Sequence, residues 1–148
     1  MTSQIRSVVL VDAVRTPFGK AGSMYAGTRA DDLMVRAMRG LLERNPKVDP
    51  ASIDDVAIAA ATQTGDQGMN IGRSATLLAG LPKTVPGYSI DRWCAGALTA
   101  TTTVAGAIAM GAIDIAIAGG VEHMGNHPMG ELMDLSLIHI SEPTRRTP

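Results

Sequence analysis

Four short apolar runs alternate along this chain with segments of helical periodicity. The runs are Ser7–Val14, Asp55–Ala61, Val85–Ile90 and Ala112–Ala118. The first two, "SVVLVDAV" and "DVAIAAA", are nearly continuous, which is typical of strands buried on both faces of a parallel sheet. The helical segments between the runs are Asp31–Arg44, Asn70–Ala79 and Cys94–Met110. This alternation predicts an α/β fold with a mainly parallel sheet, right-handed crossovers and helices on both faces.

Two of the helical segments differ in how much of their surface is apolar. In Asp31–Arg44 one face is apolar and the opposite face is charged, so this helix is expected to bury one side. The apolar face consists of Leu33, Met34, Ala37, Met38, Leu41 and Leu42. No charge occurs from Trp93 to Ile113, so the helix in that stretch is expected to be buried nearly all round.

Composition narrows the class of protein. The chain has 148 residues, a net charge of −1 and 45% hydrophobic residues, which suits one globular domain or part of a larger one. The near-neutral charge gives no reason to expect binding to nucleic acid. No apolar stretch reaches the roughly 18 residues of a membrane span. One cysteine cannot form an internal disulfide, so a cytoplasmic location is expected.

The only cysteine, Cys94, lies where the third apolar run gives way to a helical segment. That junction belongs to the carboxyl end of a strand, where α/β folds bind ligands. Unpaired N–H groups in the first turn of a helix favour a thiolate, and the Cys94 N–H suits a developing oxyanion. The alternative is a buried, inert cysteine. No neighbouring residue supplies a base; His123 and His127 lie in a later loop, where histidines are more often solvated or structural.

Four stretches in order carry a resemblance to a known family. They are "VDAVRTPFGK", "RADDLMVRAMRGLLERNP", "DRWCAGALTA" and "AGGVEHMGNHPMG". From Val9 to about Asp134 the chain resembles the N-terminal part of thiolases, with the fatty-acid β-oxidation branch most similar. The resemblance implies a partial thiolase-fold N-terminal half. The fold class is therefore α/β, with a mainly parallel sheet and helices on both faces.

The resemblance also implies a reaction. Cys94 would attack the ketone of a 3-ketoacyl-CoA, release acetyl-CoA and pass the remaining acyl group to CoA. The substrates would be acyl-CoA and CoA, with no cofactor and no metal. The full-length protein would be a homodimer or homotetramer with a possible β-oxidation partner subunit. Two alternatives stay open: the condensing direction and a non-enzymatic α/β binding module. Ketoacyl synthases share the fold and the cysteine, but "GGVEHMG" favours thiolase.

The sequence departs from the family pattern at some positions. Asp91 stands where asparagine is usual, Trp93 is bulkier than the usual leucine or phenylalanine, and Ala95-Gly96 replaces a glycine- or serine-rich pair. The activating histidine and second cysteine of the family belong to its C-terminal half, and neither His123 nor His127 corresponds to that histidine. The chain as written is therefore expected to be inactive, and CoA-binding residues stay unknown.

The last fourteen residues, "LSLIHISEPTRRTP", break the alternation. The string closely resembles the translation of a transposon-end adapter used in preparing sequencing libraries. We therefore expect residues 1–134 to be a partial N-terminal thiolase domain, and residues 135–148 to be a non-native read-through tail that fold reasoning should exclude. The alternative is a natural, flexible C-terminus.

Overall fold

The structure, a computed structural model, describes residues 5–128. Within these residues, three helices and three strands follow one another. They are α1 (Ala30–Arg44), β1 (Asp55–Ala59), α2 (Ile71–Ala79), β2 (Tyr88–Ile90), α3 (Gly96–Ala109) and β3 (Ala116–Gly120). Single 3-10 turns occupy Pro50–Ser52, Gly65–Gln67 and Trp93–Ala95. The boundary of residues 1–134 with the tail lies outside the described residues and stays a prediction.

The three strands form a parallel sheet in the order β2-β1-β3. The chain moves from β1 to one side and then crosses back over β1 to the other. Since right-handed crossovers in opposite directions place their helices on opposite faces, α2 and α3 are expected on different sides. They are: α1 and α2 pack with Val56 and Ile58, whereas α3 packs with Ala57. The predicted α/β fold with helices on both faces is confirmed.

The main core lies between β1 and the helices α1 and α2. Met38 is 1% exposed, and Ile58 and Ile71 are fully buried beside it. Each such side chain stabilises the fold by about 1.5–3 kcal/mol relative to its exposed state. The apolar face predicted for α1 supplies this core, with Leu33, Met34 and Met38 buried and Ala37, Leu41 and Leu42 partly buried.

Helix α2 approaches β2 so closely that only glycine fits at the contact. A Cβ on Gly72 would lie 2.0 Å from the Tyr88 carbonyl oxygen, and one on Gly87 would lie 2.8 Å from the Gly72 oxygen. The Gly72 N–H donates to Ser89 Oγ at 3.2 Å. The helix thus rests directly on the backbone of the strand that leads to Cys94.

The strand expected at Ser7–Val14 is absent, and that prediction was wrong for this structure. The run forms no regular element, and Val9, Leu10 and Val11 are 76–82% exposed. Its backbone makes no ladder with another described residue. An extended run becomes a strand only when a neighbour pairs with it, and β3 presents an unpaired edge among residues 5–128.

Helix α3 is less buried than its lack of charge suggested. Only Gly96, Ala100 and Val104 are buried, and they face the sheet, while Leu98 is 68% exposed. The expectation of burial nearly all round is therefore not met. A single sheet face covers only one stripe of a helix, and no described element packs on the remaining surface.

Length and apolarity together rule out a bilayer crossing by any helix that the structure describes.

Candidate active site around Cys94

Cys94 sits in the 3-10 turn between β2 and α3, at the carboxyl end of the sheet. The turn begins with Trp93 in a left-handed conformation, φ 51°, which is uncommon for a residue with a bulky side chain. Asp91 Oδ1 supports the turn by accepting the Trp93 N–H at 2.8 Å. Cys94 itself is exposed. The alternative of a buried, inert cysteine therefore does not describe this structure.

The helix that follows starts two residues later than the sequence suggested, at Gly96 rather than Cys94. Among residues 5–128, no acceptor bonds the Cys94 backbone N–H. A free N–H beside an exposed thiol is able to donate to an oxygen that gains charge next to the sulfur. The arrangement therefore offers a nucleophile together with one donor of an oxyanion hole.

The small residues after Cys94 let three elements meet. A Cβ on Gly96 would lie 2.7 Å from the Ala59 Cβ at the end of β1. A Cβ on Gly120, at the end of β3, would lie 3.1 Å from both the Ala59 oxygen and the Ala97 Cβ. Tight packing at this corner fixes the start of α3, and with it the turn that carries Cys94, against two strand ends.

Cys94 lines a cleft of about 1300 Å³. The apolar floor comes from α1, with Leu33, Met34 and Met38 among its residues. The rim comes from the ends of β1 and β3, from residues 13–22 and from the turn of Cys94. Ligand clefts of α/β folds open at the carboxyl ends of parallel strands, and a cleft of this size is large enough for an extended ligand.

A buried glutamine holds the loop after β3 to the end of β1. Gln67 is fully buried; its Nε2 donates to the Thr62 carbonyl oxygen and to Glu122 Oε1, both at 2.8 Å. Its Oε1 accepts the His123 N–H. Glu122 Oε2 in turn accepts the Ala61 N–H at 2.7 Å. These bonds satisfy the polar groups that the loop places beside the cleft, and they fix the loop.

His123 lines the cleft but has no nitrogen free to act as a base. Its Nε2 lies 2.9 Å from the Tyr25 carbonyl oxygen, which only accepts, so this nitrogen carries a hydrogen. Its Nδ1 accepts the Asn126 N–H at 3.1 Å, so this nitrogen carries none. Both nitrogens of His123 are therefore engaged in hydrogen bonds within the described residues.

His127 pairs with Asp66 instead of facing the thiol. Its Nε2 contacts Asp66 Oδ1, and Asp66 Oδ2 accepts the Ala30 N–H at 2.8 Å. Burial of the Asp66 carboxyl acts to raise its pKa, but the hydrogen bonds from His127 and Ala30 outweigh this, so the pKa lies below its ordinary value. An ionised carboxylate only accepts hydrogen bonds, so His127 Nε2 is the donor.

The lowered pKa of Asp66 predicts a pH dependence of stability. The Asp66 carboxyl has a pKa of 3.8 in the unfolded chain and a lower pKa in the folded chain. The ionised carboxylate therefore stabilises the fold fully when the pH is above the unfolded-state pKa. This stabilisation is lost as the pH falls through the folded-state pKa. The free energy of unfolding of wild type minus that of Asp66→Asn should therefore shrink between about pH 5 and pH 3, as measured by urea titration. A difference that grows toward pH 3 contradicts this.

The structure places the predicted residues unequally. Cys94 and His123 line one cleft, whereas His127 is turned to Asp66. Sequence reasoning missed Gln67 and Glu122 as anchors; the only signal for Glu122 was its place in "GGVEHMG". No group of three or more potential metal ligands occurs within residues 5–128.

The thiolase N-terminal domain family matches residues 8–142 of this chain. The chain is 46% identical over 131 residues to a 3-ketoacyl-CoA thiolase of Aliivibrio salmonicida, covering 88% of this chain and 34% of that protein. It is 46% identical over 123 residues to a beta-ketoadipyl-CoA thiolase of Pseudomonas aeruginosa, covering 83% of this chain and 31% of that protein.

A solved structure shows the same likeness in three dimensions. The crystal structure of the Bacillus anthracis acetyl-CoA acetyltransferase matches with a TM-score of 0.79 and 31% identity, covering 89% of this chain and 35% of that one. This chain thus spans about a third of the length of the relatives it matches. With a family match over most of its residues and the same fold, the chain belongs to the thiolase family.

Proposed function

We propose that this chain is part of an acyltransferase that cleaves 3-ketoacyl-CoA with CoA, giving acetyl-CoA and a shortened acyl-CoA. The observation that carries the proposal is the exposed thiol of Cys94 beside its own unbonded N–H on the cleft. The thiolase family membership supports the same reaction. The acyl-CoA and CoA are substrates, and we propose no cofactor.

The proposed reaction has two halves joined by an acyl-cysteine. The Cys94 thiolate adds to the ketone carbon, and the Cys94 N–H stabilises the oxyanion. The bond between C2 and C3 then breaks, and its electron pair leaves as the acetyl-CoA enolate, which takes a proton from an acid. Next, the thiolate of free CoA attacks the acyl-cysteine, forms the shorter acyl-CoA and restores the Cys94 thiolate.

The acid and base for these steps come from outside residues 5–128 in our proposal. His123 has both nitrogens engaged and His127 pairs with Asp66, so neither is available to Cys94. Since the chain spans about a third of its relatives, we propose that the active enzyme is longer and supplies these groups from its other residues. The chain by itself is then inactive.

The reverse reaction, condensation of two acyl-CoA molecules, uses the same acyl-cysteine and stays the second candidate. The structural relative is named an acetyl-CoA acetyltransferase, and a sequence relative is named for beta-ketoadipyl-CoA. Because these names differ in their acyl groups, family membership fixes neither the acyl chain of the substrate nor the direction of the reaction. We further propose a cytoplasmic enzyme of fatty-acid β-oxidation that assembles as a homodimer or homotetramer. The alternative to an enzyme is a non-enzymatic α/β binding module.

Trapping the acyl-enzyme tests the proposal. The reading frame is extended from the source DNA, the complete protein is expressed, and it is incubated with acetyl-CoA without an acceptor. We expect an acetyl group on the peptide that contains Cys94, and its removal on addition of CoA, both followed by mass spectrometry. Pretreatment with iodoacetamide should prevent the adduct. Turnover of 3-ketoacyl-CoA with no adduct on Cys94 would overturn the proposal, and a complete protein without turnover would favour the binding module.

A further inference from the structure

The loop after β3 is tied to the start of α1 by three side chains. His123 Nε2 donates to the Tyr25 carbonyl oxygen, and Asn126 Nδ2 donates to the Thr28 carbonyl oxygen at 3.2 Å. The third tie is the contact of His127 with Asp66, which also caps α1 through the Ala30 N–H. Only this last tie joins the loop to a helix N-terminus through a pair of ionisable groups.

The Asp66–His127 contact is a part-buried, closely fitted pair. The two side chains are 9% and 12% exposed. A Cβ on the neighbouring Gly65, whose φ is +52°, would lie 2.8 Å from His127 Cε1. Glycine therefore serves two needs here: it allows the left-handed turn and makes room for the imidazole. Such a fit restricts the ring to one orientation.

Asp66 links two elements that both border the cleft. Helix α1 has no side-chain cap from its own N-cap residue, Arg29, whose guanidinium pairs instead with Asp31. Asp66 supplies the missing acceptor. Because α1 forms the floor of the cleft and Glu122–Gly125 forms part of its wall, this carboxylate connects the start of α1 with His127, two residues beyond that wall.

We propose that Asp66 and His127 are positioning residues that hold the Glu122–Gly125 wall of the cleft relative to α1, and so set the affinity for the acyl-CoA rather than the rate of the chemical step at Cys94. This inference rests on the proposed thiolase activity. It predicts that loss of the pair loosens the loop and weakens substrate binding while the acyl-cysteine still forms.

Kinetics of the complete enzyme form the first arm of the test. His127→Ala should raise KM for the 3-ketoacyl-CoA about tenfold and leave kcat within about twofold. His127→Gln should recover most of the affinity, since its amide N–H can donate to Asp66. The double variant Asp66→Asn/His127→Ala should raise KM no more than the more harmful of the two single changes, as expected for partners in one interaction. A fall in kcat with unchanged KM would overturn the inference, as would an unchanged KM in all variants.

Amide hydrogen exchange of the 148-residue chain forms the second arm, and it does not depend on activity. His127→Ala should speed exchange in residues 124–127 about tenfold and leave β1 unchanged. Asp114→Asn is the matched control, because it removes an exposed ion pair with Arg6 near the amino end of β3. It should change neither KM nor the exchange rates of the loop. If the complete wild-type enzyme is inactive, the proposed function fails, and exchange alone decides the positioning role. Uniformly faster exchange over the whole chain would instead indicate a merely structural pair and overturn it.

Discussion

Replacing Cys94 by serine is expected to lower the turnover of the complete enzyme about 10³-fold or more. A serine hydroxyl does not ionise near neutral pH, and it lacks the intrinsic nucleophilicity of a thiolate. The serine also bonds acyl groups as an ester, which is a poorer donor to CoA than the thioester. Turnover is measured by loss of 3-ketoacyl-CoA, and the acyl-enzyme by mass spectrometry of the peptide.

The matched measurement separates chemistry from folding. Cys94 is exposed and its turn is held by Asp91 and Trp93, not by the thiol, so Cys94→Ser should change the free energy of unfolding by less than about 0.5 kcal/mol. Retention of more than a tenth of the wild-type activity in a folded Cys94→Ser protein would rule out Cys94 as the nucleophile. The second candidate direction predicts the same loss, because condensation also passes through the acyl-cysteine.

Gly72→Ala is expected to lower the free energy of unfolding by about 3 kcal/mol. The added methyl group would lie 2.0 Å from the Tyr88 carbonyl oxygen, and this obstacle is backbone that cannot rotate away. Relief requires α2 to move off β2, which weakens the contact through Ser89. Since β2 leads directly into the turn of Cys94, the complete enzyme should also lose activity. Urea unfolding followed by circular dichroism measures the effect on the chain.

Gly40→Ala is the control for that substitution. Gly40 lies within α1, and a Cβ there would meet nothing within 4 Å, so alanine should raise the free energy of unfolding by up to about 1 kcal/mol through helix propensity. The same chemical change is thus expected to act in opposite directions at two helical positions. A Gly72→Ala protein as stable as wild type would mean that α2 does not rest on β2 as the structure has it.

Elements whose packing neighbours lie among the described residues were predicted well. The apolar period of α1 identified its buried face, and the apolar run of β1 identified a strand buried on both sides. Asn70 and Gly80 bound α2 as expected of a cap and a stop, with the Asn70 side chain accepting the Arg73 N–H at 3.2 Å. In these cases the pattern and the local hydrogen bonds agree.

Elements for which residues 5–128 supply too few packing neighbours were predicted less well. The apolar run Ser7–Val14 has the composition of a buried strand, but composition does not provide the neighbour that a strand needs. Likewise, the absence of charge in α3 means that burying the helix on all sides would cost little. Within the described residues, however, only the sheet packs against it. Both cases concern apolar surface whose burial is a property of packing, not of the segment itself.

At the candidate site, the sequence indicated the nucleophile but not its surroundings. The position of Cys94 after a strand and before a helix was enough to propose it. The contact of His123 Nε2 with Tyr25 and the pairing of His127 with Asp66 were not predictable, because each joins residues at least 60 positions apart. Gln67 was missed for the same reason: a buried amide acquires its role from partners brought together by the fold.

Trp93 lies beside Cys94 on the cleft, and this position makes the indole useful as a natural probe. The chain has a single tryptophan and a single cysteine, and they are adjacent, with Trp93 65% exposed where it lines the cleft. Fluorescence excited selectively at the indole therefore originates one residue from the thiol. A shift or quenching of that emission reports occupancy of the cleft directly, so ligand titrations of this chain need no attached dye.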